Sequence, residues 1–275
     1  LDNEFSIAGN SFSKYRYLSN IYNLDEAIFN KKISLPEISK SYHYKFLSKK
    51  YNSSGGLHVG NNIFSKNIYY QKYLPGKTYS ISFIANGEYS KILGLNQLFL
   101  VKDNIKFPFL HSGAMNLGLS EVNMDFPKNF ISSVCNLYQI KGYCSIDFKI
   151  IDNNIYILDF NPRLSSSYRL YTRKYENLMH HHLGLIDNEL NMISNQYYAY
   201  IILYAKKDLV ISDSINELEN ISDRPTIGDS IKKDMPLFTI NLYSNDKDDI
   251  LFKIKNRIIS AMKIIDCYNT QLEYE

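Results

Sequence analysis

The stretch that most constrains this chain is Tyr143 to Asn161, two runs of alternating residues on either side of Asp152-Asn153-Asn154. Side chains on a strand alternate between faces, so the pairing register decides which residues share a face. A two-residue loop at Asn153-Asn154 would set Asp147 opposite Phe160 and Phe148 opposite Asp159, mixing carboxylates with aromatics on both faces. A three-residue loop, Asp152-Asn153-Asn154, pairs Ile151 with Ile155 and gathers Ile146, Phe148, Ile150, Tyr156, Leu158 and Phe160 on one face. The other face then carries Ser145, Asp147, Lys149, Asp159 and Asn161. The clean sorting selects the three-residue loop, a common hairpin length. It sets Asp147 directly opposite Asp159, with Cβ atoms about 4.5–5.5 Å apart. Like charges so placed repel. With the amide oxygen of Asn161 they form a set of hard donors suited to Mg²⁺ or Mn²⁺, and a solvated acidic face is the alternative.

Turn signals divide the rest of the chain. A first strand is expected near Ile7 and a helix over Leu24–Lys31, ended by Pro36. Lys45–Lys49 and Tyr69–Tyr73 read as strands, and Tyr79–Leu93 as a hairpin centred on Asn86-Gly87. Pro127–Ile140 reads as a helix that Gly142 ends. A helix is expected through Tyr168–Leu185, and strands at Tyr198–Ala205 and Leu237–Leu242. A last helix over Asp248–Asp266 would bury Leu251, Ile254, Ile258 and Ile265.

At 275 residues the chain can bury a core without staples. Its net charge of +3 comes from 31 basic and 28 acidic residues spread along the chain, which argues against a nucleic-acid partner. No apolar run approaches the roughly 18 residues of a membrane span and no signal peptide opens the chain. Three cysteines without metal-ligand spacing point to a reducing, cytoplasmic setting. The chain opens without Met, so an upstream segment is expected.

Before the first hairpin, Lys49-Lys50-Tyr51-Asn52 leads into Ser53-Ser54-Gly55-Gly56. Such loops let backbone N–H groups approach phosphate oxygens while a Lys adds point charge. By itself the turn also reads as a plain connector, and neither the P-loop nor the dinucleotide glycine pattern occurs.

In this order the segments resemble the ATP-grasp superfamily: a strand ending in Lys, a glycine-rich lid, a hinge strand opening with Gln or Glu, and a late hairpin with an acid and a Glu-x-Asn pair. Here these are Phe46–Lys49, Ser53–Gly56, Gln71-Lys72-Tyr73-Leu74-Pro75-Gly76, Gly142–Phe148 and Leu158–Arg163. The likeness covers roughly residues 20–185. It implies an α+β fold of two lobes clamping ATP, with the N-terminal lobe truncated. Residues 1–41 would close that lobe and form a connector helix, 42–74 the lid subdomain, 75–190 the core with the metal hairpin, and 191–275 a C-terminal subdomain.

The resemblance implies that Lys49 meets the α- and β-phosphates, Ser53, Ser54, Gly55 and Gly56 cover the triphosphate, and Gln71, Lys72, Tyr73 and Leu74 frame the adenine. Asp147, Asp159 and Asn161 would hold Mg²⁺, and Arg163 would stabilise an acyl phosphate or tetrahedral intermediate. Three departures stand out: Asp159 replaces the usual Glu, Thr78 stands where a ribose-binding Glu is expected, and Asn20-Ile21 replaces a Lys before the connector. The stretches Ile7–Ser11, Leu93–Leu98 and Asp223–Gly228 are similar to a branch serving methanofuran- and methanopterin-type cofactors. That branch joins glutamate to amines such as tyramine or tyrosine, and the superfamily implies a homodimer. A degenerate ATP-binding regulatory protein and a biotin-carboxylase-like enzyme are the alternatives. Consecutive His180-His181-His182 point in different directions on a helix and are read as structural, as are Tyr168, Tyr171 and Tyr175. Asp223-Arg224-Pro225 reads as a turn, with Arg224 as a weaker candidate for a substrate carboxylate.

Overall fold

The computed structural model describes residues 8–30, 32–51, 55–60, 67–118, 125–184 and 189–272. The expected strand at Ile7 lies outside them. The chain divides into two compact units: residues 1–53, 61–97 and 116–194 form one, and 54–60, 98–115 and 195–275 the other.

In the first unit the strands Ile33–Ser34, Asn154–Asn161, Lys141–Ile151, Thr78–Asn86 and the first part of Ser90–Val101 lie side by side in that order. Ile33–Ser34 joins Asn154–Asn161 in parallel. Thr78–Asn86 runs antiparallel to Lys141–Ile151 and sets Ser80 beside Asp147 and Ser82 beside Ser145.

The late hairpin takes neither expected loop. Ile151 pairs with Asn154, so the turn is Asp152-Asn153, with φ of 49° and 61°. Two successive left-handed residues are the mark of the type I′ turn, whose twist matches the flanking strands, and Asp and Asn tolerate that region. From there Tyr156 pairs with Lys149 and Ile157 with Phe148, after which the register shifts and Asp159 pairs with Asp147. Leu158 is the extra residue of a β-bulge. Near the turn, therefore, the sorting is the reverse of that expected. Ile155 and Ile157 join Ile146, Phe148 and Phe160 in burial, at 6% exposure or less, while Tyr156 and Leu158 leave that face. Beyond the bulge the expected pairing of Asp147 with Asp159 and Asn161 with Ser145 holds.

A second, small sheet in this unit places Ile68–Lys72 between Ile38–Ser39 and Phe46–Lys50, all antiparallel, with Lys49 opposite Tyr69 and Leu47 opposite Gln71. The helix expected over Leu24–Lys31 is replaced by two 3-10 turns, Ile21–Asn23 and Glu26–Ile28. The Asn30 side chain ends them by accepting from the backbone N–H groups of Lys32 and Ile33. An unanticipated helix, Phe12–Leu18, starts at the Ser11 N-cap. The middle helix spans Asp125–Tyr138 and is ended by Gln139 at φ 50°, whereas Gly142 lies inside the next strand. The long helix expected through Tyr168–Leu185 is broken into a 3-10 stretch, Ser166–Leu170, and a short helix, Leu178–Leu183, behind the left-handed Asn177.

In the second unit Tyr197–Tyr204 pairs antiparallel with Pro236–Ser244 on one side and with His111–Leu117 on the other. The helix Lys247–Ile264 lies against these strands and buries Ile250, Ile254, Ile258 and Ala261. Ile254 and Ile258 are buried as expected; Ile250 is buried where Leu251 was expected, and Ile265 falls just past the helix as its C-cap and is half-buried. Among the described residues no helix is long and apolar enough to cross a membrane.

Candidate functional site

Alternation fixes the chemistry of one face of the first unit's sheet. Ser80, Asp147 and Asp159 come to adjacent positions on three neighbouring strands. Ser80 stands beside Asp147 across the strand pair, and its hydroxyl favours the charged carboxylate. Asn161 Nδ2 lies 3.5 Å from Asp147 Oδ2, while its Oδ1 accepts from an Arg163 guanidinium N–H at 3.1 Å. A second Arg163 N–H donates to the Leu164 carbonyl at 2.9 Å, so the guanidinium is held beside the pair.

Burial raises both carboxylates above the ordinary range. The facing Asp159 lifts Asp147 further, while Ser80, Lys49 and Arg163 pull it back. Among the described residues no ion pair closes on either carboxylate, and no cluster of three His, Cys, Asp or Glu side chains exists. A divalent ion fits this donor set in one way: two carboxylates from the protein, with amide oxygen, water and substrate phosphate completing the shell, as Mg²⁺ commonly allows. The Asn161 oxygen accepts one N–H from Arg163 and keeps a second lone pair, so a part as a metal ligand would set the ion and the guanidinium on the same oxygen.

Lys49 reaches this face from the small sheet. Its Nζ donates to the Leu158 carbonyl and to Gln71 Oε1, each at 3.2 Å. The bulge explains the first contact, since it leaves an extra backbone carbonyl out of the ladder. Burial lowers the Lys49 pKa, and Asp159 and Asp147 hold it up. The Tyr69 ring lies 6.0 Å from the ammonium, meets Tyr22 edge-on and packs at a tilt against Tyr51.

The expected adenine hinge divides. Gln71 is buried and turned toward Lys49, whereas Lys72 pairs with Glu37 at the surface at 3.4 Å. Tyr73 is exposed, and the Leu74 carbonyl accepts from Lys149 Nζ at 2.6 Å. Lys149 also donates to the Gly76 carbonyl at 2.8 Å, so this buried lysine clamps the end of the hinge. Ser53 and Ser54 lie outside the described residues. Gly55 and Gly56 belong to the second unit, where the Gly55 carbonyl accepts from the His111 N–H. Gly56 sits at φ 81°, and a Cβ there would fall 1.7 Å from the Phe109 carbonyl oxygen, so only glycine fits.

Ser80, Lys149 and the Leu158 bulge were missed from sequence. Ser80 and Ser82 do alternate with Tyr79, Ile81 and Phe83, which signals a polar strand face, but nothing in the sequence says which strand lies beside it. His182 Nδ1 accepts from the Tyr143 N–H at 2.9 Å, a structural part. Arg224 is bound to Asn216 Oδ1 and the Leu218 carbonyl within the second unit. Tyr171 and Tyr175 donate to Asn96 Oδ1 and the Leu93 carbonyl, which accounts for the Leu93–Leu98 motif as packing against them.

Comparison with known proteins bears on the family and the fold. The family model described as an ATP-grasp domain matches residues 18–167. An uncharacterized protein of Methanocaldococcus jannaschii is 27% identical over 272 residues, covering 89% of this chain and 66% of that protein. The tyramine–L-glutamate ligase of the same organism is 27% identical over 123 residues, covering 45% of this chain and 37% of that enzyme. The chain therefore spans less than two thirds of either relative. The L-amino acid ligase of Bacillus licheniformis superposes with a TM-score of 0.67 at 11% identity, over 90% of this chain and 72% of that one, a likeness of fold.

Proposed function

The chain belongs to the ATP-grasp family, and on that premise we propose that it is an ATP-dependent carboxylate–amine ligase joining glutamate to an amine of the tyramine or tyrosine kind. The observation that carries the reading is the facing pair Asp147 and Asp159, with Lys49 and Arg163 both acting on it electrostatically. Two acids and two cations on one sheet face match the needs of a triphosphate and its counter-ion.

Asp147, Asp159 and Asn161 would hold Mg²⁺ or Mn²⁺, which when bound offsets charge between the β- and γ-phosphates. Lys49 has three N–H bonds and uses two of them among the described residues, leaving one for an α- or β-phosphate oxygen. A substrate carboxylate oxygen attacks the γ-phosphorus of ATP, and ADP leaves. The amine then adds to the carbonyl carbon, inorganic phosphate departs, and the amine gives up a proton. Arg163 supplies fixed positive charge where the oxyanion develops.

The relative named tyramine–L-glutamate ligase supports the finer choice of substrates, as does the likeness of Ile7–Ser11 and Asp223–Gly228 to the cofactor branch. The test is ADP release and product mass with ATP, glutamate and, in turn, tyrosine, tyramine and pterin-type amines. A new amide with one of these supports the reading. ADP release that no amine stimulates and no amide product would overturn it. Asp159 favours a second reading, a nucleotide-binding regulatory protein, because its side chain is about 1.5 Å shorter than the Glu usual there. That reading expects ADP binding without turnover.

A further inference from the structure

Gln71 opens the expected hinge, and its side chain is held between Tyr22 and Lys49. The amide sits in a hydrogen-bond chain whose polarity can be read from one end. The Pro36 carbonyl can only accept, so the Tyr22 hydroxyl donates to it, at 3.2 Å. The Tyr22 oxygen then accepts from Gln71 Nε2 at 2.8 Å. Gln71 must therefore present Oε1, its acceptor, on the opposite side, and that atom receives the Lys49 N–H at 3.2 Å. Gln71 is 4% exposed, so water does not compete freely for either end of the amide.

We infer that Tyr22 and Gln71 form a polarity relay that positions Lys49, with Tyr22 setting the amide's orientation and the amide oxygen aiming the ammonium at a nucleotide's phosphates. The inference rests on the nucleotide reading of this site and deepens it: Tyr22 becomes a positioning residue, and Gln71 acts on phosphate rather than on adenine. If the amide turned over, an NH₂ group would face the ammonium, and among the described residues Lys49 would keep only the Leu158 carbonyl as an acceptor. A neutral amide also suits the task better than a carboxylate, because it orients Lys49 without neutralising the charge meant for phosphate.

The experiment compares the affinity of ADP with that of adenosine, since only ADP carries the phosphates that Lys49 would meet. Tyr22→Phe keeps the ring against Tyr69 and removes only the hydroxyl. It is expected to weaken ADP about tenfold, the scale of one hydrogen bond to a charged group, and to leave adenosine within about twofold. Gln71→Met, close in shape and without the amide, should produce the same selective loss. Because Tyr22 acts through Gln71, the double variant should be no worse than Gln71→Met alone. Additive losses, equal losses for adenosine and ADP, or unchanged ADP affinity in both single variants would each overturn the relay. Failure of the unaltered protein to bind ADP would instead sink the nucleotide reading, and the relay with it.

Discussion

Changing Asp159 to Asn should make the protein more heat-stable without magnesium and stop magnesium from adding to that stability. Directly opposed residues have Cβ atoms about 4.5–5.5 Å apart, which sets a scale of about 5 Å for the separation of their charges. At an effective dielectric constant of about 20, two such charges repel by about 3 kcal/mol. Part of this is already offset by Lys49 and Arg163, and at Asp147 by the neighbouring Ser80 hydroxyl. A net gain of about 1–2 kcal/mol therefore remains on removing one charge. For a chain of this size that is a rise of about 2–6 °C in Tm. The unaltered protein, with ten times its Kd of Mg²⁺ present, gains about 1.4 kcal/mol from the ion. The Asn variant should gain little. The assay is a calorimetric or dye-monitored melt at pH 8.5 with and without MgCl₂, run beside Asp147→Asn as the reciprocal case. A lower Tm for Asp159→Asn without metal would refute the argument that the pair repels. A magnesium shift retained by both variants would refute the assignment of the ion to this hairpin.

Arg163→Ala should lower kcat of ADP release by about 10²–10³, with the KM for ATP within about twofold, as expected for charge used mainly in the transition state; steady-state kinetics read both. Gly94→Ala should destabilise by about 2 kcal/mol, or about 4–8 °C in Tm, because the new Cβ would lie 2.5 Å from the hydroxyl oxygen of Tyr171, which its bond to Asn96 holds in place. An unchanged melt would show that Tyr171 can move. His111 gives a pH test. Burial lowers its pKa from 6.5 to about 4, so the native state binds fewer protons than the unfolded chain, and this contribution is lost as pH falls from about 6.5 toward 4. Between pH 7 and pH 5 the loss is about 2 kcal/mol, and His111→Gln should remove that part of the acid limb in denaturant titrations. Superimposable pH profiles for the two proteins would contradict it.

The sequence made the strands easier to place than the helices. The strands at Tyr198–Ala205 and Leu237–Leu242 fall within two residues of their observed ends, and the turn of the Tyr79–Leu93 hairpin is where Asn86-Gly87 puts it although its second strand runs on to Val101, because alternation and turn residues are local signals. The first half of the chain misled for a different reason. Leu24–Lys31 has the composition of a helix, but Asn30 caps its end and the Asp25 N–H donates to the Tyr138 hydroxyl, a contact 113 residues away. The same holds at Tyr168–Leu185, where helical spacing was real. Tyr171 and Tyr175 instead anchor to Asn96 and Leu93, and the backbone breaks to allow it. Tertiary hydrogen bonds overrode propensity in both places.

The hairpin shows how a correct pairing can rest on an incorrect route. Periodicity demanded a register with Asp147 opposite Asp159, and the only regular way to reach it was a three-residue turn. The chain reaches it with a tight Asp152-Asn153 turn and one inserted residue at Leu158. The difference is functional as well as geometric. A regular hairpin would have tied the Leu158 carbonyl into the ladder, whereas the bulge turns it to Lys49. The residue that restores the acids to opposite positions thus also supplies an acceptor to the lysine beside them. Deleting Leu158 would straighten this strand and leave Asp159 next after Ile157, still opposite Asp147, so it would separate the two features of the site: the acid pair would stay and the backbone anchor for Lys49 would go.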